Sequence, residues 1–460
     1  MPELVWGPTY EEMLHPEKIA PHVRRRALAA KEKAPLDPVN LYNITWRKPD
    51  GTPCYFVLPK ELTGVDANIV VLYGRDFPTG SHKVGATYAV TMENQLAGNI
   101  QPGRDTLVYP STGNYGIGGV WVAGRMGYDA VVILPENMSR ERFALIESYG
   151  GRYIKTPGCE SNVREIYEKC KELARKPHIS VLNQFEVMAN YRFHYYVTGN
   201  TIVELVQALH SRRLGDGRCA AFVSGMGSAG TIAAGDRLKE VYPETKIVGL
   251  EPIQCPTLYS NGYGDHDIQG IGDKHVTWIH NVLNMDALVC IDDMEAKLGL
   301  QLLTDPVGME YLTSRAGIRE DAVREMATIF GISGVANVLG AIKVAKYWRL
   351  PGSANVVTVL TDSIDRYRSV MADLNRRFGP LDREQAAVRF HSIFRGVKLD
   401  YIQEGTRLNR ERWFNLKYFT WVEQFGKTVE ELDAQRSPSW WAEERAKVAA
   451  VDAQLRRVRG

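Results

Sequence analysis

Short runs of apolar, largely β-branched residues alternate with helical stretches through the middle of this 460-residue chain, and this alternation restricts the fold more than any other feature. It predicts strands in NIVVLYGR, DTLVYPS, DAVVILP, RCAAFVSG, TKIVGLEP and ANVVTVLTDS. Between them it predicts helices in SRERFALIESYG, SNVREIYEKCKELARK and AGTIAAGDRLKEVY. Strands that alternate with helices form parallel sheets, and wholly apolar strands suit a sheet covered on both faces. The fold class is therefore α/β.

The chain changes character after about Asn375, where it becomes charged, aromatic and helical in pattern, with no clear strand. Four aromatic residues recur there at helical spacing and form one apolar stripe: Phe414, Tyr418, Trp421 and Phe425. This pattern predicts a helix that packs on the main body of the chain or on a second subunit. A substrate-gating or regulatory role is the alternative, and no residue supports it directly.

Composition excludes several classes of partner. The formal net charge of +2 gives no electrostatic basis for binding nucleic acid or an anionic membrane surface. No apolar run approaches the ~20 residues that span a bilayer. The first residues are partly acidic and lack the apolar stretch of a secretory signal, so we expect a cytoplasmic protein. The six cysteines are scattered, which predicts buried thiols and neither a disulfide framework nor a metal site.

A glycine loop lies between a predicted strand and a predicted helix. Gly225, Gly227 and Gly230 have the spacing of a dinucleotide-binding fingerprint, and Glu251 follows about twenty residues later, as that fingerprint requires. The physical basis is less specific, because glycine N–H groups and a helix N-terminus favour any phosphate, including the single phosphate of pyridoxal 5'-phosphate (PLP). The hydroxyls of Ser228 and Thr231 suit a terminal phosphate. A purely structural turn is the third interpretation.

Three further segments carry polar residues just after a predicted strand, as the glycine loop does. In FPTGSHKVGATYAV, Lys83 lies at a strand-to-helix turn, where partial burial would lower its pKa and make the amine nucleophilic toward an aldehyde. In LVYPSTGNYGIGG, the N–H groups of a helix start would meet an anion such as a substrate carboxylate. In VVTVLTDSIDRY, Asp362 and Ser363 end an apolar strand, where α/β folds place ligands.

These four pieces, in this order, resemble the cysteine synthase and cystathionine β-synthase family, the fold type II or tryptophan synthase β-like PLP enzymes. The matching segments are TGSHK, STGNYG, GMGSAGT and TDSIDRY, with further similarity in NQFEVMANYRFHYYVTGNTIVEL and in the QGIG loop. The resemblance runs from about Asn40 to Met371. An ordered set of motifs is far more specific than the glycine loop alone, and it favours PLP over a dinucleotide.

The resemblance implies a role for each matching residue. Lys83 would bind PLP as a Schiff base and carry the α-proton, and Ser363 would face the pyridine nitrogen. Asn114 would bind the ring hydroxyl oxygen, and His82 would contact the phosphate. The cofactor site is expected to comprise Lys83, His82, Asn114, Gly225, Gly227, Ser228, Ala229, Gly230, Thr231 and Ser363. The substrate site is expected to comprise Ser111, Thr112, Gly113, Asn114, Tyr115, Gln184 and Gly270.

The sequence also departs from the family pattern. Tyr115 replaces a small threonine and should reshape the substrate pocket. Asp273, Lys274 and His275 follow the QGIG loop in place of small and apolar residues. If that loop borders the substrate, these side chains would recognise a polar group or a second substrate; otherwise they belong to a solvated loop.

By resemblance, the activity is β-replacement on a serine, O-acetylserine or cysteine-like donor through an aminoacrylate, with a thiol or other nucleophile as second substrate. β-Elimination that releases a keto acid and ammonia is the alternative, and a non-catalytic PLP-binding subunit is a third. A homodimer is expected. The resemblance implies a small mobile α/β domain over residues 87–200. A large PLP domain would comprise residues 201–374 with part of 1–86, and a helical extension would span 375–460.

Overall fold

The computed structural model describes residues 4–111, 113–158, 163–262 and 264–460. Eleven strands occur among these residues: β1 Tyr55–Val57, β2 Asn68–Tyr73, β3 Thr106–Pro110, β4 Asp129–Pro135, β5 Arg152–Thr156, β6 Ile179–Val181, β7 Cys219–Gly225, β8 Lys246–Pro252, β9 Ala287–Ile291, β10 Asn355–Leu360 and β11 Ile402–Glu404. They form a seven-stranded sheet in the order β1-β2-β10-β7-β8-β9-β11 and a four-stranded sheet in the order β5-β4-β3-β6. The second sheet lies wholly within residues 106–181 in sequence.

Helices surround both sheets. Those before β7 are α1 Tyr10–Leu14, α2 Pro21–Lys33, α3 Lys60–Thr63, α4 Lys83–Leu96, α5 Asn114–Met126, α6 Arg140–Ser148, α7 Val163–Ala174, α8 Met188–Phe193 and α9 Gly199–Ser211. Those after it are α10 Ala234–Val241, α11 Thr257–Ser260, α12 Asp293–Thr304, α13 Pro306–Ser314, α14 Glu320–Ile329, α15 Ile332–Tyr347, α16 Arg368–Phe378, α17 Arg383–Arg389, α18 Arg407–Trp421, α19 Val429–Ala434 and α20 Pro438–Arg459. A π-helical turn, His194–Thr198, joins α8 to α9.

Parallel pairing dominates, as the alternating pattern predicts. The four-stranded sheet is parallel throughout, and the larger sheet is parallel from β2 to β9. Strands β2 and β10 are buried at every position, because helices cover both faces of the sheet. The α/β fold class is confirmed.

The edges of the larger sheet depart from the parallel pattern. Strand β1 pairs with β2 and β11 pairs with β9, both antiparallel. The expectation that the chain after Asn375 contains no strand is therefore wrong. Ile402–Glu404 is only three residues long and only partly buried, so it lacks the apolar run that marks the central strands. Its place at the sheet edge is decided by backbone pairing with β9.

The C-terminal helices pack on the rest of the chain. Two stripe residues of α18, Phe414 and Trp421, are buried in the core, whereas Tyr418 is exposed. Helix α20 reaches back to the N-terminal segment, where the Tyr10 N–H donates to Asp452 Oδ1 at 2.8 Å. The interpretation of the stripe as a helix packed on the main body of the chain is thus the one the structure supports.

Two findings bear on compartment and chemistry. The five cysteines among the described residues are buried free thiols, and Cys159 lies outside those residues. In the described part of the chain, no helix combines the length and the apolar character needed to cross a membrane.

Candidate active site

The segments singled out in the sequence follow strand ends and meet in space. Lys83 is the first residue of α4, which follows β2, and the glycine loop follows β7. The carboxyl ends of parallel strands share one edge of a sheet, so these residues come together although they are far apart in sequence. The Lys83 ammonium donates to Ser228 Oγ at 3.3 Å, across 145 residues. Because Lys83 is half-buried, its amine lies between the core and the cleft.

The glycine loop is tightly folded against its neighbours. Ala229 has a left-handed backbone with φ of 59°, which L-residues rarely adopt and which turns successive N–H groups toward one point. A Cβ on Gly227 would lie 2.8 Å from the Gly270 carbonyl oxygen, and a Cβ on Gly230 would clash with Asn190 Oδ1. These approaches explain why glycine is needed at both positions. Ser228 and Thr231 are buried in the same loop.

Gly225 and a residue missed in the sequence fix the start of this loop. The Gly225 N–H donates to Asn337 Oδ1 at 2.7 Å, and Asn337 Nδ2 donates to the Val359 carbonyl at 2.8 Å. Asn337 of α15 therefore ties the glycine loop to β10. Asn337 lies in a helix that also carries Ser333, Lys343 and Lys346, so the sequence holds no signal that separates this buried amide from a solvated one.

His82 lies in an aromatic environment. Its ring stacks on Trp46, with centroids 5.2 Å apart, and meets His194 edge-on at 5.1 Å. Its Nε2 is 3.3 Å from Thr361 Oγ1. Burial and the nearby Lys83 charge hold the pKa of His82 well below its usual range, so the imidazole is neutral. A contact between His82 and a cofactor phosphate stays a prediction.

The asparagine loop between β3 and α5 is held by its serine. Ser111 Oγ accepts from the N–H groups of Gly113 at 2.9 Å and Gly116 at 2.8 Å. Asn114 is buried, and its Nδ2 donates to Asp362 Oδ2 at 2.6 Å, while its Oδ1 has no partner among the described residues. Thr112, also expected in the substrate site, lies outside the described residues.

The end of β10 adds a buried polar network. Tyr367 Oη donates to both Asp362 oxygens, at 2.8 and 3.0 Å, and the Arg142 guanidinium lies 3.6 Å from the same carboxylate. Ser363 is buried beside it and donates to Asp365 at 3.3 Å. Arg142 belongs to α6, so this network joins the layer of the small sheet to the large sheet. A buried arginine has no sequence signature that separates it from a solvated one.

A second missed residue connects Gln184 with the glycine loop. Asn190 Nδ2 donates to the Gln184 carbonyl at 3.0 Å and to Ser228 Oγ at 3.1 Å. Gln184 is buried, and its side chain donates to the Pro110 carbonyl at 3.3 Å. Gln184 therefore lies between the asparagine loop and the glycine loop, where a substrate would meet the cofactor.

Tyr115 packs into the core of the small sheet's layer. Its hydroxyl donates to the Leu182 carbonyl at 3.1 Å, and its ring meets Tyr109 edge-on at 5.8 Å. The side chain is buried. Its expected effect on the shape of the substrate pocket stays a prediction.

We expect Tyr115→Phe to lower the free energy of unfolding by about 1–3 kcal/mol, because the Leu182 carbonyl would lose its donor inside the core. Thermal unfolding of the wild type and the variant measures this. We further expect the ranking of donor substrates to be unchanged, since the packing ring is kept. A changed ranking with unchanged stability would place Tyr115 at the substrate instead.

The arrangement fits a phosphate-bearing aldehyde cofactor. Lys83 offers an amine for the aldehyde. The glycine loop has no space for a side chain at Gly227 or Gly230, so its backbone N–H groups can approach a phosphate. Asn114 Oδ1 is a buried acceptor without a donor among the described residues. The fold and this site together define a class of enzyme in which a lysine holds such a cofactor between two α/β layers.

The chain belongs to the family of pyridoxal-phosphate dependent enzymes, whose model matches residues 51–362. It is 34% identical to a cysteine synthase of Staphylococcus aureus over 304 residues, which covers 66% of this chain and 88% of that protein. It is 31% identical to a probable cysteine synthase of Bacillus subtilis over 294 residues, which covers 64% and 85%.

Solved structures show the same fold. An O-ureido-L-serine synthase is 27% identical, with a TM-score of 0.59 over 72% of this chain and 95% of that one. A hydrogen sulfide-producing enzyme from Fusobacterium nucleatum is 26% identical, with a TM-score of 0.55 over 70% and 88%. The cofactor is thus PLP, and the dinucleotide interpretation of the glycine loop is excluded.

Proposed function

We propose that this chain catalyses PLP-dependent β-replacement, in which the substituent on the β-carbon of an L-alanine derivative is exchanged for a nucleophile. The observation that carries the proposal is the 3.3 Å contact between Lys83 Nζ and Ser228 Oγ, which brings the amine that would bind the cofactor aldehyde beside the loop that would hold the cofactor phosphate. The cysteine synthases among its relatives support this reaction type over others of the family.

Bound PLP supplies the electron-withdrawing ring that makes the α-proton of an amino acid acidic. Lys83 Nζ holds the cofactor and takes the proton from the substrate Cα. The N–H groups at the start of α5 bind the substrate carboxylate, with Gln184 alongside, and so orient that Cα toward Lys83. Ser363 would hold the pyridine nitrogen with a hydroxyl in place of a carboxylate, and a hydroxyl would not enforce protonation of that nitrogen. The surrounding buried residues exclude water.

The finer assignments are the donor, the nucleophile and the assembly. The donor is a serine, O-acetylserine or cysteine-like amino acid, and a thiol or related compound is the nucleophile. We propose a homodimer that acts in the cytoplasm. Sedimentation velocity tests the dimer, and a fully active monomer would contradict it. Phe414 and Trp421 of the aromatic stripe are buried within the chain, so these two side chains are not available to a second subunit.

The test is the visible absorption spectrum of the purified protein, followed by addition of L-serine, O-acetyl-L-serine and L-cysteine in turn, each with sulfide or a second thiol. We expect a yellow protein whose spectrum changes with one donor and whose product is a new β-substituted alanine. Release of keto acid and ammonia without that product would establish β-elimination instead. A yellow protein without any turnover would indicate the non-catalytic subunit.

A further inference from the structure

The loop after Gly270 carries a buried carboxyl group against the glycine loop. The Gly272 N–H donates to the Met226 carbonyl at 2.8 Å, so the two loops are joined by backbone pairing. The Asp273 carbonyl accepts from Thr257 Oγ1 at 2.8 Å. Asp273 is therefore held firmly beside the glycine loop.

One oxygen of the Asp273 carboxyl, Oδ2, has no hydrogen-bond partner in the part of the chain that the structure describes. The side chain is only 7% exposed. It lines a small cavity of about 20 Å³ together with Gly227, Ala229 and His275. A buried carboxylate without partners is costly, so the carboxyl is stabilised in its protonated form. Burial raises the pKa of Asp273 to about 7, although the Lys83 ammonium opposes this shift.

Most of the titratable groups around Asp273 are uncharged near neutral pH, so Asp273 is the group among them that can both donate and accept a proton there. Those that face it or share its cavity are Lys83, Tyr167, Cys255, Glu251, His275 and His280. Burial lowers the pKa of His275 to about 4 and that of His280 to about 3, so both are neutral. Burial raises the pKa of Glu251 to about 8, so it is mostly uncharged as well. Lys83 is thus the one cation of this set.

We propose that Asp273 is the acid–base residue for the β-substituent, which deepens the proposed function and rests on it. The Asp273 carboxyl gives its proton to the departing heteroatom as that atom leaves the β-carbon with the bonding electron pair. The carboxylate formed then takes a proton from the incoming nucleophile, whose electron pair forms the new bond to the β-carbon. The two transfers restore the carboxyl, so no other acid or base is consumed.

This role identifies the class of donor. An acetate group leaves as a stable anion and needs no proton, whereas hydroxide is a poor leaving group unless it is protonated. Asp273 is therefore needed for a donor with a free β-hydroxyl, namely L-serine, and matters far less for O-acetyl-L-serine. Lys83 is already assigned to the α-proton, so a second acid at the β-carbon divides the two proton transfers between two residues.

Asp273→Asn keeps the shape of the side chain and removes its proton. We expect kcat/KM for L-serine to fall by about 10²–10⁴-fold, the range for a positioned acid–base group, and kcat/KM for O-acetyl-L-serine to change far less. The visible spectrum of the bound cofactor and its retention on dialysis should match the wild type. For the wild type, kcat/KM for L-serine should fall as the pH rises above about 7, where Asp273 loses its proton, and that for O-acetyl-L-serine should not.

The matched control is Glu251→Gln. Glu251 is a buried carboxyl on the same cavity, but its two oxygens accept from the N–H groups of Leu258 at 3.1 Å and Tyr259 at 2.8 Å. We expect the ratio of kcat/KM for L-serine to kcat/KM for O-acetyl-L-serine in Glu251→Gln to equal that of the wild type. The role of Asp273 would be overturned if Glu251→Gln lost kcat/KM for L-serine as selectively as Asp273→Asn does. It would also be overturned if Asp273→Asn lost kcat/KM equally for L-serine and O-acetyl-L-serine.

The wild type separates this inference from the proposed function. If it replaces the acetyl group of O-acetyl-L-serine but does not act on L-serine, the proposed function holds and the role of Asp273 fails. If it acts on no donor while retaining PLP, the proposed function itself fails. If the wild type turns over both donors and Asp273→Asn loses mainly the turnover of L-serine, the result supports both the proposed function and the role of Asp273.

Discussion

Lys83→Ala is expected to lower turnover by at least about 10²–10⁴-fold, because the variant loses the amine that holds the cofactor and the base for the α-proton in one substitution. The Lys83 side chain is half-buried and its Nζ contacts Ser228 at 3.3 Å, so no solvated lysine can take its place. Product formation from the best donor and the visible absorption of the protein after addition of PLP together measure the loss.

The fold of this variant should be intact, since the removed side chain is not fully buried and alanine favours the helix that starts there. Circular dichroism and the thermal midpoint test this. Lys31→Ala is the control, because Lys31 is exposed and its ammonium donates to the Asp76 carbonyl at 2.9 Å. It should keep wild-type turnover and colour. Unchanged turnover in Lys83→Ala would refute the assignment of the cofactor lysine.

Trp421→Ala is expected to lower the free energy of unfolding by about 3–5 kcal/mol, the usual cost of removing a large buried aromatic side chain. Trp421 is fully buried, and its indole N–H donates to the Val276 carbonyl at 2.8 Å. Its ring also lies 5.7 Å from Trp278 and 5.2 Å from Phe425. The loss would therefore create a cavity and an unpaired carbonyl beside the loop that carries Asp273. Chemical denaturation of the wild type and the variant measures it.

Phe419→Ala is the matched control on the same helix. Phe419 is 58% exposed, so its truncation should change the free energy of unfolding by no more than about 0.5 kcal/mol. Equal losses in the two variants would show that α18 does not use its Trp421 face for packing. The buried Lys417 supports that face, since its ammonium donates to the carbonyls of Trp278 at 3.0 Å and His280 at 2.6 Å.

These contacts give the C-terminal helices a role that the aromatic stripe only suggested. Lys417 and Trp421 of α18 hold residues 276–280, which directly follow Asp273 and His275. Phe425 continues this contact, with its ring 4.5 Å from Tyr167, and Tyr167 Oη lies 3.1 Å from His275 Nε2. The C-terminal helices therefore hold in place the segment that carries Asp273 and His275.

The central strands and the order of the motifs were predictable because each is a local property of the chain. An apolar β-branched run such as that of β10 indicates a buried strand, and a glycine loop between a strand and a helix favours an anion site, whatever lies elsewhere in the chain. Five strands were missed: β1, β5, β6, β9 and β11. Four of them, β1, β5, β6 and β11, are only partly buried and form because neighbouring strands offer backbone partners. Strand β9 is buried at all five positions, but its apolar run is short and was not recognised.

The sequence by itself determined the α/β class and, by resemblance, PLP chemistry. It also singled out the lysine and the two loops for which cofactor, phosphate and carboxylate binding are predicted. Only the tertiary structure decided which polar side chains surround them. Asn190, Asn337 and Arg142 lie far in sequence from the residues they contact, and nothing in their neighbours separates a buried amide or guanidinium from a solvated one. The same holds for Asp273, whose proposed role follows from burial of a carboxyl oxygen that has no partner among the described residues. That burial depends on how distant segments pack around the side chain.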